Sequence, residues 1–144
     1  MAAACQGGMA FSNSSVCLVH GMSRPLGLAF RLPHGLSNSV LLPTVTRFSW
    51  HGAKARYAEI ARSIQMASDK SSDDVACQAL TDWLDGLNAD LQVPRLRDCC
   101  GGDADAFRAI LPKMAADALD SGSPQNNPIV PSASEIIELF ERAW

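Results

Sequence analysis

An all-α helical bundle is the fold that the sequence predicts, on three observations. Apolar residues recur at helical spacing from residue 54 to the carboxyl end, helix-capping signals precede those runs, and no segment alternates like a strand. No hairpin dipeptide lies between β-rich runs, no βαβ unit appears, and there is no internal repeat. Of 144 residues, 47% are hydrophobic and 19% charged, with a net charge of −3. That composition suits one globular domain with a real core, not a disordered, collagen-like or coiled-coil chain. An acidic balance without a Lys/Arg cluster argues against a nucleic-acid or anionic-membrane surface.

The amino-terminal stretch carries no charge before Arg24. Gln6, Asn13, His20, Ser12, Ser14, Ser15 and three glycines would make insertion into a bilayer costly, and no basic start of a secretory signal precedes it. The stretch 1–23 is therefore expected to be buried core. Val16–Val19 and Val40–Leu42 fit either buried strands or buried helix turns. From residue 54 the pattern is clearer. Tyr57, Ile60, Ala61 and Ile64 form one stripe of a helix over 54–67. Ser72 can cap a second helix whose Ala76, Leu80, Trp83, Leu84, Leu87 and Leu91 share a face up to Val93-Pro94. Asp103 caps a segment with Phe107, Ile110 and Leu111 on one side. Pro112 is expected to break it and open another short helix with Met114, Ala115 and Ala118. Turn formers fill 120–128, and the last helix opens with Ser132 and Glu135 at capping-box spacing, burying Ile136, Leu139, Phe140 and Ala143. Cys5, Cys17, Cys77, Cys99 and Cys100 are an odd count without CxxC spacing, which reads as free thiols of a cytoplasmic protein.

Histidines are the residues best suited to chemistry, as metal ligands or general bases near neutral pH. His20 lies in the apolar run Val-Cys-Leu-Val-His-Gly-Met, and His34 follows fourteen residues later in Leu-Pro-His-Gly. One straight helix cannot aim both at a single ion. Gly27 and Pro33 permit a turn between them, so a helix and the segment after it could bring both together. The alternative for each is a hydrogen-bonded core histidine. His51, after Trp50, reads as a surface residue. Gly7-Gly8 and Gly101-Gly102 are isolated pairs, not a dinucleotide fingerprint.

The runs Gly8-Met-Ala-Phe-Ser-Asn-Ser-Ser, Val19-His-Gly-Met-Ser-Arg-Pro-Leu-Gly and Leu32-Pro-His-Gly-Leu-Ser-Asn-Ser-Val-Leu-Leu-Pro resemble the iron-containing (group III) alcohol dehydrogenase family. The tail Asn126-Asn127-Pro128, with Ser132, Glu135-Ile136 and Leu139, is similar to that family's carboxyl end. The resemblance covers essentially the whole chain. It implies that residues 1–144 are the carboxyl-terminal, dehydroquinate synthase-like helical domain of an NAD- or NADP-dependent alcohol dehydrogenase or aldehyde reductase. It also implies an Fe²⁺ centre, alternatively Zn²⁺, bound by an aspartate and three histidines. His20 and His34 match the last two ligands; the aspartate, the first histidine and the glycine-rich nucleotide loop would precede Met1. Phe11 matches an aromatic position lining the substrate and nicotinamide pocket, its alternative being a core aromatic.

The sequence departs from the family pattern at Arg24, where many relatives carry a histidine four residues after the first of these ligands. An arginine is protonated throughout the working range and cannot act as a base. It is either structurally paired or an anchor for an anionic alcohol or aldehyde. About 6 Å from a divalent ion it would be repelled by roughly 3 kcal/mol per unit of that charge, at an effective dielectric of about 20. Two readings follow. In the first, this is the metal domain of an oxidoreductase, truncated and inactive alone, with a homo-oligomer as the candidate assembly. In the second, it is a non-catalytic helical module derived from that family.

Overall fold

The computed structural model describes all 144 residues, and every regular element is a helix. In chain order they are α1 (Ala2–Ser14), α2 (Leu18–Phe30), α3 (His34–Ser49), α4 (Lys54–Ser63), α5 (Asp73–Asp90), α6 (Leu96–Cys99), α7 (Ala104–Asp120) and α8 (Ala133–Ala143). Two 3₁₀ turns, Trp50–Gly52 and Ser123–Asn126, join α3 to α4 and α7 to the run before α8. The ambiguous apolar runs thus resolve as helix: Leu18 opens α2, and Val40 and Leu41 lie mid-way along α3.

The main core is built on α2. Leu18, Met22 and Leu26, at i, i+4 and i+8, are fully buried against Leu41 and Val45 of α3, Leu111, Met114 and Ala118 of α7, and Leu139 and Phe140 of α8. Each such side chain contributes about 1.5–3 kcal/mol on burial. That outweighs the roughly 3 kcal/mol that an internal proline costs a helix, so α2 runs unbroken through Pro25. The same balance corrects the expectation at Pro112. With Phe107, Leu111, Met114, Ala115 and Ala118 all buried along one face, α7 continues across the proline rather than restarting there. A second, smaller core joins Ala58 and Ala61 of α4 to Ala76, Cys77 and Leu80 of α5, with Trp50 beside them.

Two further expectations are corrected. Residues 2–14 are not core: α1 buries no residue, and Met9 and Phe11 are exposed. Its polar side chains bond their own helix, Ser12 to the Gly8 carbonyl, Asn13 to Met9 and Ser14 to Ala10, so the helix lacks charge without leaving those groups unpaired. Only the part from Leu18 onward enters the core. Ile60, Ile64, Trp83 and Leu91 also remain exposed, because no element covers that side of the α4–α5 hairpin. The five cysteines are free, as expected; burial pushes the Cys100 thiol up to about 12.

The caps form as the sequence indicates. Ser72 accepts from the Val75 N–H, Asp103 from Asp105 and Ala106, and Ser132 and Glu135 make a capping box. The backbone N–H and hydroxyl of Ser132 both donate to Glu135 Oε2, at 2.8 and 2.7 Å, which holds that carboxyl below its ordinary range. A carboxylate depressed in the folded state adds stability above its unfolded pKa, and this is lost as pH falls through the folded value. Wild type should therefore lose more stability than Glu135→Gln in urea melts run from pH 6 to pH 3. Parallel losses would show that the box does not act through charge.

Glycine packing gives a second test. A Cβ on Gly21 would lie 2.9 Å from both Cγ and Cδ of buried Pro124, whereas one on Gly86, in the last third of α5, meets nothing within 4 Å. Gly86→Ala should stabilise the chain by about 0.5–1 kcal/mol. Gly21→Ala should destabilise it, because overpacking costs about 1–3 kcal/mol and exceeds the helical gain. Urea denaturation of the two variants checks both signs.

Candidate metal centre

Two helices and the turn between them bring His20 and His34 together. His20 sits in the first turn of α2, half-buried, and His34 is the first residue of α3. The reversal has a local cause. The Gly27 carbonyl accepts from the N–H groups of both Arg31 and Leu32, and Arg31 takes the left-handed conformation at φ 54°. Leu32, preceding Pro33, is biased to extended backbone, and Pro33 then opens α3. A Cβ on Gly27 would lie 3.2 Å from the Leu32 carbonyl oxygen and from Ser37 Oγ, so a side chain there would press the turn open by a few tenths of an ångström.

The imidazole centroids are 5.2 Å apart, with ring planes inclined at 54°. A divalent ion sits about 2.0–2.1 Å from a ligating nitrogen, hence about 3.2 Å from the ring centroid. A tetrahedral angle between two such ligands then separates their centroids by about 5 Å, so the observed spacing fits a shared ion. Burial, the neighbouring His34 and the charge on Arg24 all push the His20 pKa down, which keeps the ring neutral as metal binding requires. No third His, Cys, Asp or Glu joins the pair, so these residues make half of a four-ligand set.

Asn38, one turn on from His34, was not legible as a partner in the sequence. Its Nδ2 donates to His34 Nε2 at 3.1 Å, while its Oδ1 is buried without a partner. An Asn at i+4 from a histidine is the signal that could have found it. Arg24 follows His20 by one helical turn on the continuous α2, despite Pro25, and is exposed. Its Nη1 donates to Ser123 Oγ at 3.3 Å. Phe11 and Arg24 line one pocket of about 470 Å³ with Ser12, Asn13, Ser14, Ser15 and Val16; neither histidine lines it. His51 is exposed and stacks on Trp50 at 3.7 Å, away from the other two.

The segment 123–127 braces this region. Asn126 donates to the Val16 carbonyl at 3.0 Å and Cys17 Sγ to the Asn126 carbonyl at 3.4 Å, which ties the start of α2 to the 3₁₀ turn. Asn127 is buried and exchanges hydrogen bonds with Ser49 at the end of α3. The asparagines that looked like the family's carboxyl end therefore serve as struts.

A profile of the Fe-containing alcohol dehydrogenase family, C-terminal, matches residues 1–144. The chain belongs to that family. Among its relatives, lactaldehyde reductase of Escherichia coli strain K12 is 36% identical over 138 residues, which are 95% of this chain and 35% of that protein. The 1-propanol dehydrogenase of Citrobacter freundii is 34% identical, over 93% of this chain and 37% of its own length. A solved structure of a 1,3-propanediol oxidoreductase superposes with a TM-score of 0.87 at 32% identity, over 95% of this chain and 35% of that one. The chain spans about a third of the length of the curated relatives it matches. Its all-helical architecture is that of the family's carboxyl-terminal region. No helix is long and apolar enough to cross a membrane.

Two imidazole ligands leave coordination positions to water, so binding should be weak beside a four-ligand site. Titration of the chain with Zn²⁺, or anaerobically with Fe²⁺, should show one weak site that disappears in the double variant His20→Ala, His34→Ala. Unchanged binding in that variant would make the histidines structural.

Proposed function

We propose that residues 1–144 form the metal-holding helical domain of an NAD(P)-dependent alcohol dehydrogenase or aldehyde reductase. The observation that carries this reading is the 5.2 Å pairing of His20 and His34 across the α2–α3 turn, in a chain that belongs to the Fe-containing alcohol dehydrogenase family. The names of the relatives, lactaldehyde reductase and 1-propanol dehydrogenase among them, support a small alcohol or aldehyde as substrate.

In this reading His20 and His34 hold Fe²⁺, or Zn²⁺, as neutral ligands that leave the ion its full charge. The bound ion supplies Lewis-acid stabilisation of the negative charge that develops on the alcohol oxygen while hydride leaves for the nicotinamide. The other tasks fall to side chains. The tight α2–α3 turn fixes the separation of the two rings. Phe11 offers an apolar wall to the substrate's carbon chain and limits water beside it. Asn38 orients His34 until an occupant claims Nε2, since that nitrogen accepts from the Asn38 amide in the metal-free chain. Neither His51 nor any cysteine enters the reaction. Alone, the chain offers no glycine-rich loop for a dinucleotide, so nucleotide binding and the remaining ligands rest with the family's other domain, and the isolated chain is inactive.

A chimera tests this. These 144 residues replace the matching 35% of E. coli lactaldehyde reductase. NADH-linked reduction of small aldehydes should persist, and fall at least about 100-fold in His20→Ala or His34→Ala together with bound metal. A folded chimera that binds metal yet reduces nothing would favour a non-catalytic module. Activity surviving both substitutions would exclude the metal role of the histidines.

A further inference from the structure

Arg24 is an unpaired cation and the one charged residue lining its pocket. Eight of the twelve lysines and arginines lie within 4.0 Å of a carboxylate. Arg24 is not among them, and its one hydrogen bond, to Ser123 Oγ, is long at 3.3 Å. Most of the guanidinium's five N–H groups are therefore open to an acceptor. The other polar side chains on the pocket wall are uncharged, and each already makes one hydrogen bond. Ser12, Asn13 and Ser14 donate to carbonyls of their own helix, and Ser15 Oγ accepts from Asn126. Phe11, on the same helix, also lines the pocket and is 56% exposed. The pocket, about 470 Å³, thus offers one planar cation and one apolar surface, and α2 places His20 a single turn from that cation.

We propose that Arg24 is a specificity-determining residue that selects alcohols and aldehydes bearing a carboxylate, such as short hydroxy acids. The proposal rests on the dehydrogenase reading above. The acid group accepts paired N–H bonds from the guanidinium, the carbon chain lies along Phe11, and the hydroxyl end points toward the His20–His34 pair. The carboxylate takes no part in the redox step: the carbinol carbon gives its hydride to NAD(P)⁺, the hydroxyl proton passes to solvent water, and the acid remains ionised throughout. It also relieves the repulsion that an uncompensated guanidinium would feel one turn from a divalent ion. A neutral alcohol does neither.

The direct test is binding to the 144-residue chain, with and without Zn²⁺, read at the arginine Nε–Hε resonances. Added 3-hydroxypropanoate should shift the Arg24 signal saturably, 1-propanol should not, and Arg24→Gln should abolish acid binding while Arg24→Lys restores part of it. Arg31→Gln, which removes another unpaired arginine, serves as the control for non-specific anion binding. No shift at Arg24, or an equal loss in the Arg31 variant, would overturn the proposal. The kinetic arm uses the chimera. Arg24→Gln should lower the ratio of kcat/KM for 3-hydroxypropanoate over that for 1-propanol by about 10- to 100-fold, the range for a charge-assisted pair. An unchanged ratio would show that Arg24 serves the fold. If the chimera oxidises neither alcohol while Arg24 still binds the acid, the dehydrogenase reading fails and the anion site stands.

Discussion

The reversal between α2 and α3 is the constraint on which the structure depends. One carbonyl, that of Gly27, closes it by accepting two backbone N–H groups, and Pro33 sets the direction in which α3 departs. Fourteen residues of chain are thereby folded so that the rings at their two ends approach to 5.2 Å. The same reversal lays Leu18, Met22 and Leu26 against Leu41 and Val45, which begins the main core. Site and core are therefore one feature. A mutation that loosens the turn would expose apolar surface and separate the histidines together.

Around that hairpin the chain is braced beside the candidate site and left open at α1. The turn 123–126 presses on Gly21, next to His20, and holds both Arg24 and the start of α2 by hydrogen bonds. Close approach there needs a residue without a side chain, so Gly21 has a packing role beside a candidate ligand. By contrast α1 touches little of the rest and buries nothing. That uncharged, exposed helix carries Phe11 on the wall it shares with Arg24.

Much of the fold was legible because its signals are local. The Ser72, Asp103 and Ser132 caps depend on side chains within three residues, and all three form. The stripe on α8 is buried because amphipathic spacing and a partner coincide. Where the reading failed, the missing information was long-range. Spacing places Ile60 and Ile64, or Trp83 and Leu91, on one face of a helix, but cannot say whether another element covers that face. Absence of charge in residues 2–14 looked like a core signal, yet glycines and self-bonded serines give the same composition on a free helix. Pro112 looked like a stop because propensity is local, while the packing that overrides it is not. For the site, a fourteen-residue spacing carries little by itself. The motifs around His20 and His34 gave the pair its meaning, and Asn38 went unnoticed because its i+4 spacing from His34 points to a contact only once both lie on one helix.

The central claim, that His20 and His34 act as one half-site, is tested most directly by ¹⁵N NMR of the three imidazoles during Zn²⁺ addition. The account predicts that the nitrogens of His20 and His34 shift together, with a common affinity, while Asn38 loses its contact with His34 and His51 stays on Trp50 unchanged. Independent shifts of the two rings, or a response from His51 equal to theirs, would contradict it.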